Sequence, residues 1–288
     1  MEKSLKNLLF IGLIMGSFVF GISSGYYKHF PFSLLKKLKS GSSIDTNFHL
    51  DGRNFNVGYF TLKDTNPTKK TMVFLTYGQS NSVNGGDCCY NVTEDVFMYL
   101  TGQTYRYQDP SLGVNGLGGS VWGMVGDKLI KKGVTEQVVF SNCGWGGKTI
   151  KQLSQGHNLN FLVENYRGLI KKFGKVDGIL FHQGENNNSP EGIQNYYRDF
   201  SNFIKNLNSE GVTIPIYLSR VSLCGSKKPI NPKLTNIQNE LINNFNIVRE
   251  GPNTDLISKR PERTKDLCHF TLDGYDRFSD MWIESLTK

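Results

Sequence analysis

The residues best suited to chemistry in this chain sit in short polar segments that come directly after apolar runs. Ser80 stands in Gly78-Gln79-Ser80-Asn81, immediately beyond the run Thr71-Met-Val-Phe-Leu-Thr-Tyr77. A serine placed where a buried strand stops has its hydroxyl at the carboxyl edge of a sheet, where open α/β sheets build their sites. Glycine at 78 lets the chain turn sharply there. Asp266 and His269 lie close together in Asp266-Leu-Cys-His-Phe270. Within one turn they project to the same side. The carboxylate can then accept a hydrogen bond from one ring nitrogen while the other faces a hydroxyl. With a serine, that set performs acyl transfer: the imidazole takes the hydroxyl proton and the carboxylate fixes and stabilises the charged ring. Two further segments end apolar runs, His182-Gln183-Gly184-Glu185 and Asn142-Cys-Gly-Trp-Gly-Gly147.

Plainer readings stand beside these. Gly, Ser and Asn are ordinary turn residues. Asp266 could cap the last helix, His269 could be a satisfied interior histidine, and His182 with Glu185 could be a surface pair. Of the other histidines, His29 and His49 lie outside the alternating body and His157 falls in a polar loop.

The elements that must position these residues alternate. Strands are expected at 71–78, 134–141, 176–181, 212–218 and 245–249, and helices at 120–132, 159–173, 191–208, 234–244 and 272–286. Ser120 reads as the N-cap of the first helix, with Val121, Trp122, Val125, Leu129 and Ile130 on one face. Connections too long for hairpins imply parallel pairing through right-handed crossovers. The expected fold is therefore a three-layer α/β/α sandwich around a parallel, flavodoxin-like sheet of about five strands. In such a sheet the polar segments share one edge.

The 288 residues are 38% hydrophobic and 20% charged, which fits a folded body with a core and not a disordered chain. The formal net charge is +8. Lys and Arg are scattered in short pairs such as Lys131-Lys132, with no basic stripe interleaved with aromatics, so no nucleic-acid partner is expected. No C-x-x-C and no His/Cys spacing suits zinc, so no metal site is expected. The cysteines are Cys88, Cys89, Cys143, Cys224 and Cys268. An odd number leaves at least one without a partner inside the chain. Cys88 and Cys89 can pair only through a strained ring, and the connectivity is otherwise open.

Residues 1–30 read as a signal peptide or short membrane anchor. Lys3 and Lys6 precede the apolar run Leu8–Ile22. Residues 31–68 read as a basic linker with an edge strand between Phe48 and Leu62, and 69–288 as the functional domain. Lys28, Lys36, Lys37 and Lys39 come after the apolar run. In a retained anchor they would favour a cytoplasmic body.

Taken together, the segments resemble the SGNH hydrolase superfamily, and within it the sialate O-acetylesterase-like carbohydrate esterases. Gly78-Gln79-Ser80-Asn81 looks like the nucleophile segment and Gly118-Gly119-Ser120-Val121-Trp122 like the second. His182-Gln183-Gly184-Glu185 looks like the third, with Gln where other superfamily members have Asn. Gly251-Pro252-Asn253-Thr254-Asp255 and Asp266–Phe270 look like the closing segments. The resemblance implies Ser80 as nucleophile, His269 as general base and Asp266 as its partner. It also implies an oxyanion hole of the Ser80 and Gly119 N–H groups and the Gln183 amide, each donor worth about 3 kcal/mol. Gly118 could take the place of Gly119. Gln79, Asn81, His182 and Glu185 are expected to support the site, Gln79 by bracing the serine loop. Ser82 departs from the usual small residue after Ser-Asn, and Asp87-Cys88-Cys89-Tyr90 has no counterpart in the family pattern.

The activity implied by the resemblance is that of a serine esterase that removes O-acetyl groups from a carbohydrate without a cofactor. Its partner would be the acetylated glycan, with membrane association through the N-terminus and a location outside the cytoplasm. The alternatives are a membrane-associated O-acetyltransferase using the same triad, or a glycan-binding module without catalysis.

Overall fold

The structure, a computed structural model, describes residues 52–288. The proposed signal or anchor, most of the linker, His29 and His49 lie outside the described residues. Of the expected edge strand, the described part forms only a 3₁₀ turn at Val57–Tyr59 and one antiparallel bridge from Leu62 to Tyr105.

The sheet is built outward from β1 (Thr71–Gly78). Its neighbours are β4 (Gln137–Asn142) and β5 (Gly178–His182), both parallel to it. Beyond β5 lie β6 (Ile216–Arg220) and β7 (Val248–Asn253). Beyond β4 lie β2 (Val96–Leu100) and β3 (Gln103–Arg106). The order is β3-β2-β4-β1-β5-β6-β7. Every residue of β4 and β5 is buried, which is why these segments read as continuous apolar runs: helices cover both faces of the sheet.

The sheet has seven strands where five were expected. The additional two form an antiparallel hairpin turning at Thr101 and Gly102, both with positive φ. Threonine in such a turn lacks the Asn-Gly signature that marks hairpins in a sequence. The five expected strands, taken alone, keep the flavodoxin-like order. All but β1 begin later than expected, because Val134, Val176, Val212 and Phe245 belong to the segments that lead into the strands. Val176 and Val212 are buried there, so their apolar character reads as strand.

The helices are α1 (Trp122–Lys131), α2 (Ile150–Leu153), α3 (Gly156–Phe173), α4 (Pro190–Ser209), α5 (Pro232–Asn244) and α6 (Leu272–Thr287). Local chemistry sets their ends. Ser189, Asn231 and Thr271 accept hydrogen bonds from the first turns of α4, α5 and α6, and proline opens α4 and α5. α3 stops at Gly174, φ 72°, in the left-handed region. α1 starts later than expected. Ser120 does not cap it, because its hydroxyl is held by Tyr107 at 2.7 Å. α1 packs on α6 through Trp122 and Trp282, whose rings are 5.4 Å apart. The remaining helices pack on one another as the opposite layer, completing an α/β/α sandwich.

Gly78 closes β1 at φ 138°, a conformation that side chains rarely adopt. A Cβ there would meet the carbonyl oxygen of His182 at 1.9 Å. The glycine is required both for the turn and for the close approach of β5.

Candidate active site

Ser80 emerges where β1 ends. Gln79 extends the pairing with β5 by one bond, N–H to His182 O at 3.0 Å. The chain then folds back into a 3₁₀ turn, Ser80–Ser82, as the Ser82 N–H and hydroxyl both donate to Gln79 O at 2.8 Å. Ser80 is half-buried, and among the described residues neither its N–H nor its hydroxyl has a hydrogen-bond partner.

His269 lies in the loop between β7 and α6. Its Nδ1 is 2.6 Å from Asp266 Oδ2, and its Nε2 has no hydrogen-bond partner among the described residues. Burial alone would raise the Asp266 pKa. Hydrogen bonds from the Thr264 hydroxyl, the His269 and Cys268 N–H groups and the imidazole outweigh it and hold the carboxyl well below the usual range. The carboxylate therefore stays charged opposite the ring. Asp266 does not cap α6; that role falls to Thr271.

The link between the serine and histidine loops is Asn81. Its amide nitrogen donates to Cys268 O at 3.0 Å and to Glu185 Oε1 at 2.8 Å. Glu185 and His182 form a wholly buried pair at 3.2 Å, not a surface one. Burial would raise the Glu185 pKa, but the charge and hydrogen bond of His182, the Asn81 amide and a backbone N–H lower it to about 2. A second tie joins Asp87 N–H to Phe270 O at 3.0 Å.

The histidine loop is held from beneath by groups that no pattern in the sequence marks. Arg263, 1% exposed, donates to the carbonyls of Thr254 (2.9 Å), Ile257 (2.6 Å) and Cys268, and stacks over Phe270 at 3.9 Å. Burial lowers its pKa to about 10, so it remains a cation at neutral pH. Cys268 forms a disulfide with Cys224 in the loop after β6. That loop is ordered by buried Asp255, which accepts from the Ser222 and Leu223 N–H groups, both at 2.9 Å. Cys88 and Cys89 form the second disulfide, and Cys143 is a buried free thiol whose pKa burial pushes up to about 12.

The expected oxyanion donors are placed differently. Ser80 N–H is open. The Gly119 N–H is spent on Gly86 O (3.3 Å) and Asp87 O (3.2 Å), and that of Gly118 on Asn84 O (3.1 Å). The segment 118–122 instead straps the loop that carries Ser80, with Trp122 Nε1 donating to Ser82 O at 2.9 Å. Gln183 reaches the site, but its amide nitrogen already faces Asn187 Oδ1 (2.7 Å), Lys148 O (3.2 Å) and Gln79 Oε1 (3.3 Å). Among the described residues no cluster of His, Cys, Asp and Glu could hold a metal ion.

A three-layer fold with a serine at the end of its central strand and an Asp-His pair at the same edge defines a carboxylic ester hydrolase. A family model for carbohydrate esterase, sialic acid-specific acetylesterase, matches residues 70–288, more than half of the chain, and the chain belongs to that family. Among solved structures it is similar to a protein from Arabidopsis thaliana, with TM-score 0.61 and 15% identity over 76% of this chain and 99% of that one. It is also similar to a carbohydrate acetylesterase from Xanthomonas citri (TM-score 0.48, 17% identity, 73% of this chain and 54% of that one). A lipase/acylhydrolase from Enterococcus faecalis gives TM-score 0.47 and 16% identity over 75% and 95% of the two chains. No curated protein matches the chain significantly.

Glu185 generates an acid-stability prediction. Its folded pKa of about 2 lies below the ordinary 4.5, so its contribution is complete above pH 4.5 and is lost as the pH falls towards 2. The shift corresponds to a few kcal/mol, roughly 1.4 per unit. Urea unfolding of the parent should weaken steeply over that interval, while Glu185→Gln should lack this part of the decline. Parallel profiles in the two proteins would contradict the assignment.

Proposed function

We propose that this chain is a serine carbohydrate O-acetylesterase. The observation that carries the reading is the Asp266–His269 contact at 2.6 Å on a loop tied by Asn81 to the turn that presents Ser80. Ser80 Oγ attacks the acetyl carbonyl as its proton passes to His269 Nε2. The tetrahedral intermediate collapses, the imidazolium returns that proton to the departing sugar oxygen, and an acetyl-serine remains. Water, deprotonated by His269, attacks the acetyl-serine. Acetate leaves and the serine recovers its proton. Asp266 remains ionised throughout and stabilises the imidazolium. Open contacts at Ser80 Oγ suit this scheme, since catalytic hydrogen bonds often tighten only when substrate binds. The substrate class, an acetylated carbohydrate, rests on the family.

The test is acetate release from an acetylated polysaccharide and from a chromogenic acetyl ester. Ser80→Ala and His269→Ala should each lower kcat by several powers of ten with folding intact. Ser80→Ala retaining parental activity would remove the nucleophile and the reading with it.

We further propose that the body works outside the cytoplasm. The basic-plus-apolar stretch within residues 1–30 supports export or anchoring, and the two disulfides fit an oxidising compartment. Thiol titration of the denatured, unreduced protein from its native cells should find Cys143 alone. Finding all five cysteines reactive would place the protein in a reducing compartment.

A further inference from the structure

The oxyanion site has one open donor, Ser80 N–H, and lacks the two others that the sequence led us to expect. The hydrogen bonds around Gln79 supply another. The orientation of this amide is fixed by its neighbours. Gln79 Oε1 receives the Asn186 N–H at 3.0 Å, so that atom is the acceptor end. It also receives Gln183 Nε2 at 3.3 Å. The Gln183 amide is fixed in turn. Its nitrogen faces the Lys148 carbonyl and Asn187 Oδ1, and the latter is identified as oxygen by the Ile150 N–H it accepts at 2.9 Å. With two hydrogens and three acceptors, Gln183 Nε2 has nothing left to offer a substrate.

Gln79 Nε2 is in the opposite condition. It donates to no described residue, although the side chain is only 3% exposed. It is also not sealed in the interior, unlike the orphaned Gln183 Oε1, Asn81 Oδ1 and His182 Nδ1. Its position is set by its partners. Asn186 and Gln183 belong to the loop after β5, whereas Lys148 O and Gly147 O, the latter held by Asn186 Nδ2 at 2.7 Å, belong to the loop after β4. These loops extend from the two strands that flank β1. The amide therefore sits at the end of the central strand, one residue from Ser80, with its oxygen held by these loops and its nitrogen without an acceptor among the described residues.

We propose that Gln79 is a catalytic residue: its Nε2 donates to the oxyanion alongside the Ser80 N–H, and Gln183 positions it by holding Oε1. The inference rests on the acyl-transfer reading of Ser80. Charge that develops on the acetyl oxygen during attack would be met by a donor already fixed in place and shielded from bulk water, the condition under which such donors contribute most. The side chain needs no reorganisation, since Asn186 N–H and Gln183 Nε2 clamp its other end.

The experiment is steady-state hydrolysis of an acetyl ester by the full chain and its Gln79→Ala and Gln79→Glu forms, with Ser80→Ala alongside and folding monitored by circular dichroism. Gln79→Ala should lower kcat at least about 100-fold with KM within a few-fold of the parent. Gln79→Glu keeps the shape and the acceptor for Asn186 but replaces the donor by an anion, so it should be at least as inactive while remaining folded. Either folded variant within threefold of the parent kcat would overturn the proposal, as would a raised KM at unchanged kcat, which would assign Gln79 to sugar binding. Ser80→Ala separates the two levels. If it is inactive while Gln79→Glu is active, the esterase reading stands and the oxyanion assignment fails. If it retains activity, the acyl-transfer reading itself fails.

Discussion

Assembly of this site depends on the Asn81 side chain. Three separate stretches of chain must meet: the end of β1 with Ser80, the end of β5 with Glu185, and the late loop with His269. One amide nitrogen touches the second and third while belonging to the first. It can do so because Glu185 is charged inside the protein, and Glu185 is charged because His182, Asn81 and a backbone N–H surround it. A buried carboxylate without those donors would cost several kcal/mol and would take up a proton. The polar network is therefore a mutual arrangement in which each member makes the others tolerable. It places the carbonyl of Cys268, next in the chain to His269, against the residue directly after Ser80.

The rest of the late loop is a response to the same demand. The proposed role of His269 as a base needs a rigid loop, because small displacements cost large factors in rate. Here the support is Arg263 beneath, the Cys224–Cys268 bond at one side, and the Asp87–Phe270 backbone tie at the other. Arg263 binds only carbonyl oxygens among its hydrogen-bond partners, and its planar fork reaches acceptors from three points of the chain.

The sequence exposed the parts of this arrangement that leave a local trace. Ser80 was legible because an apolar run stops at a glycine, and Asp266 with His269 because their spacing brings them to one side of a turn. Alternation of strand and helix was enough for the three-layer fold. The features that stayed hidden depend on distant partners. Arg263 bonds to backbone carbonyls, which every residue carries, so nothing in the sequence distinguishes its targets. The Cys224–Cys268 pairing joins residues 44 apart and could not be chosen over other pairings. Whether the Gly119 N–H is free to donate was likewise not legible in the sequence. Segment 118–122 does lie against the Ser80 loop, but its Gly119 N–H is bonded to Gly86 O and Asp87 O, which no local pattern in the sequence reveals. For Gln183, residue type says which groups an amide can offer, and only the neighbours say which are already taken.

The central claim is that Ser80 attacks the acyl carbon with His269 as its base. The most direct measurement is peptide mass mapping after treatment with an activated phosphonate ester, which forms a stable tetrahedral adduct with a reactive serine. A single adduct on the peptide containing Ser80, formed much more slowly in His269→Ala, is the result expected. An adduct on another residue, or one at Ser80 whose rate does not depend on His269, would contradict this mechanism.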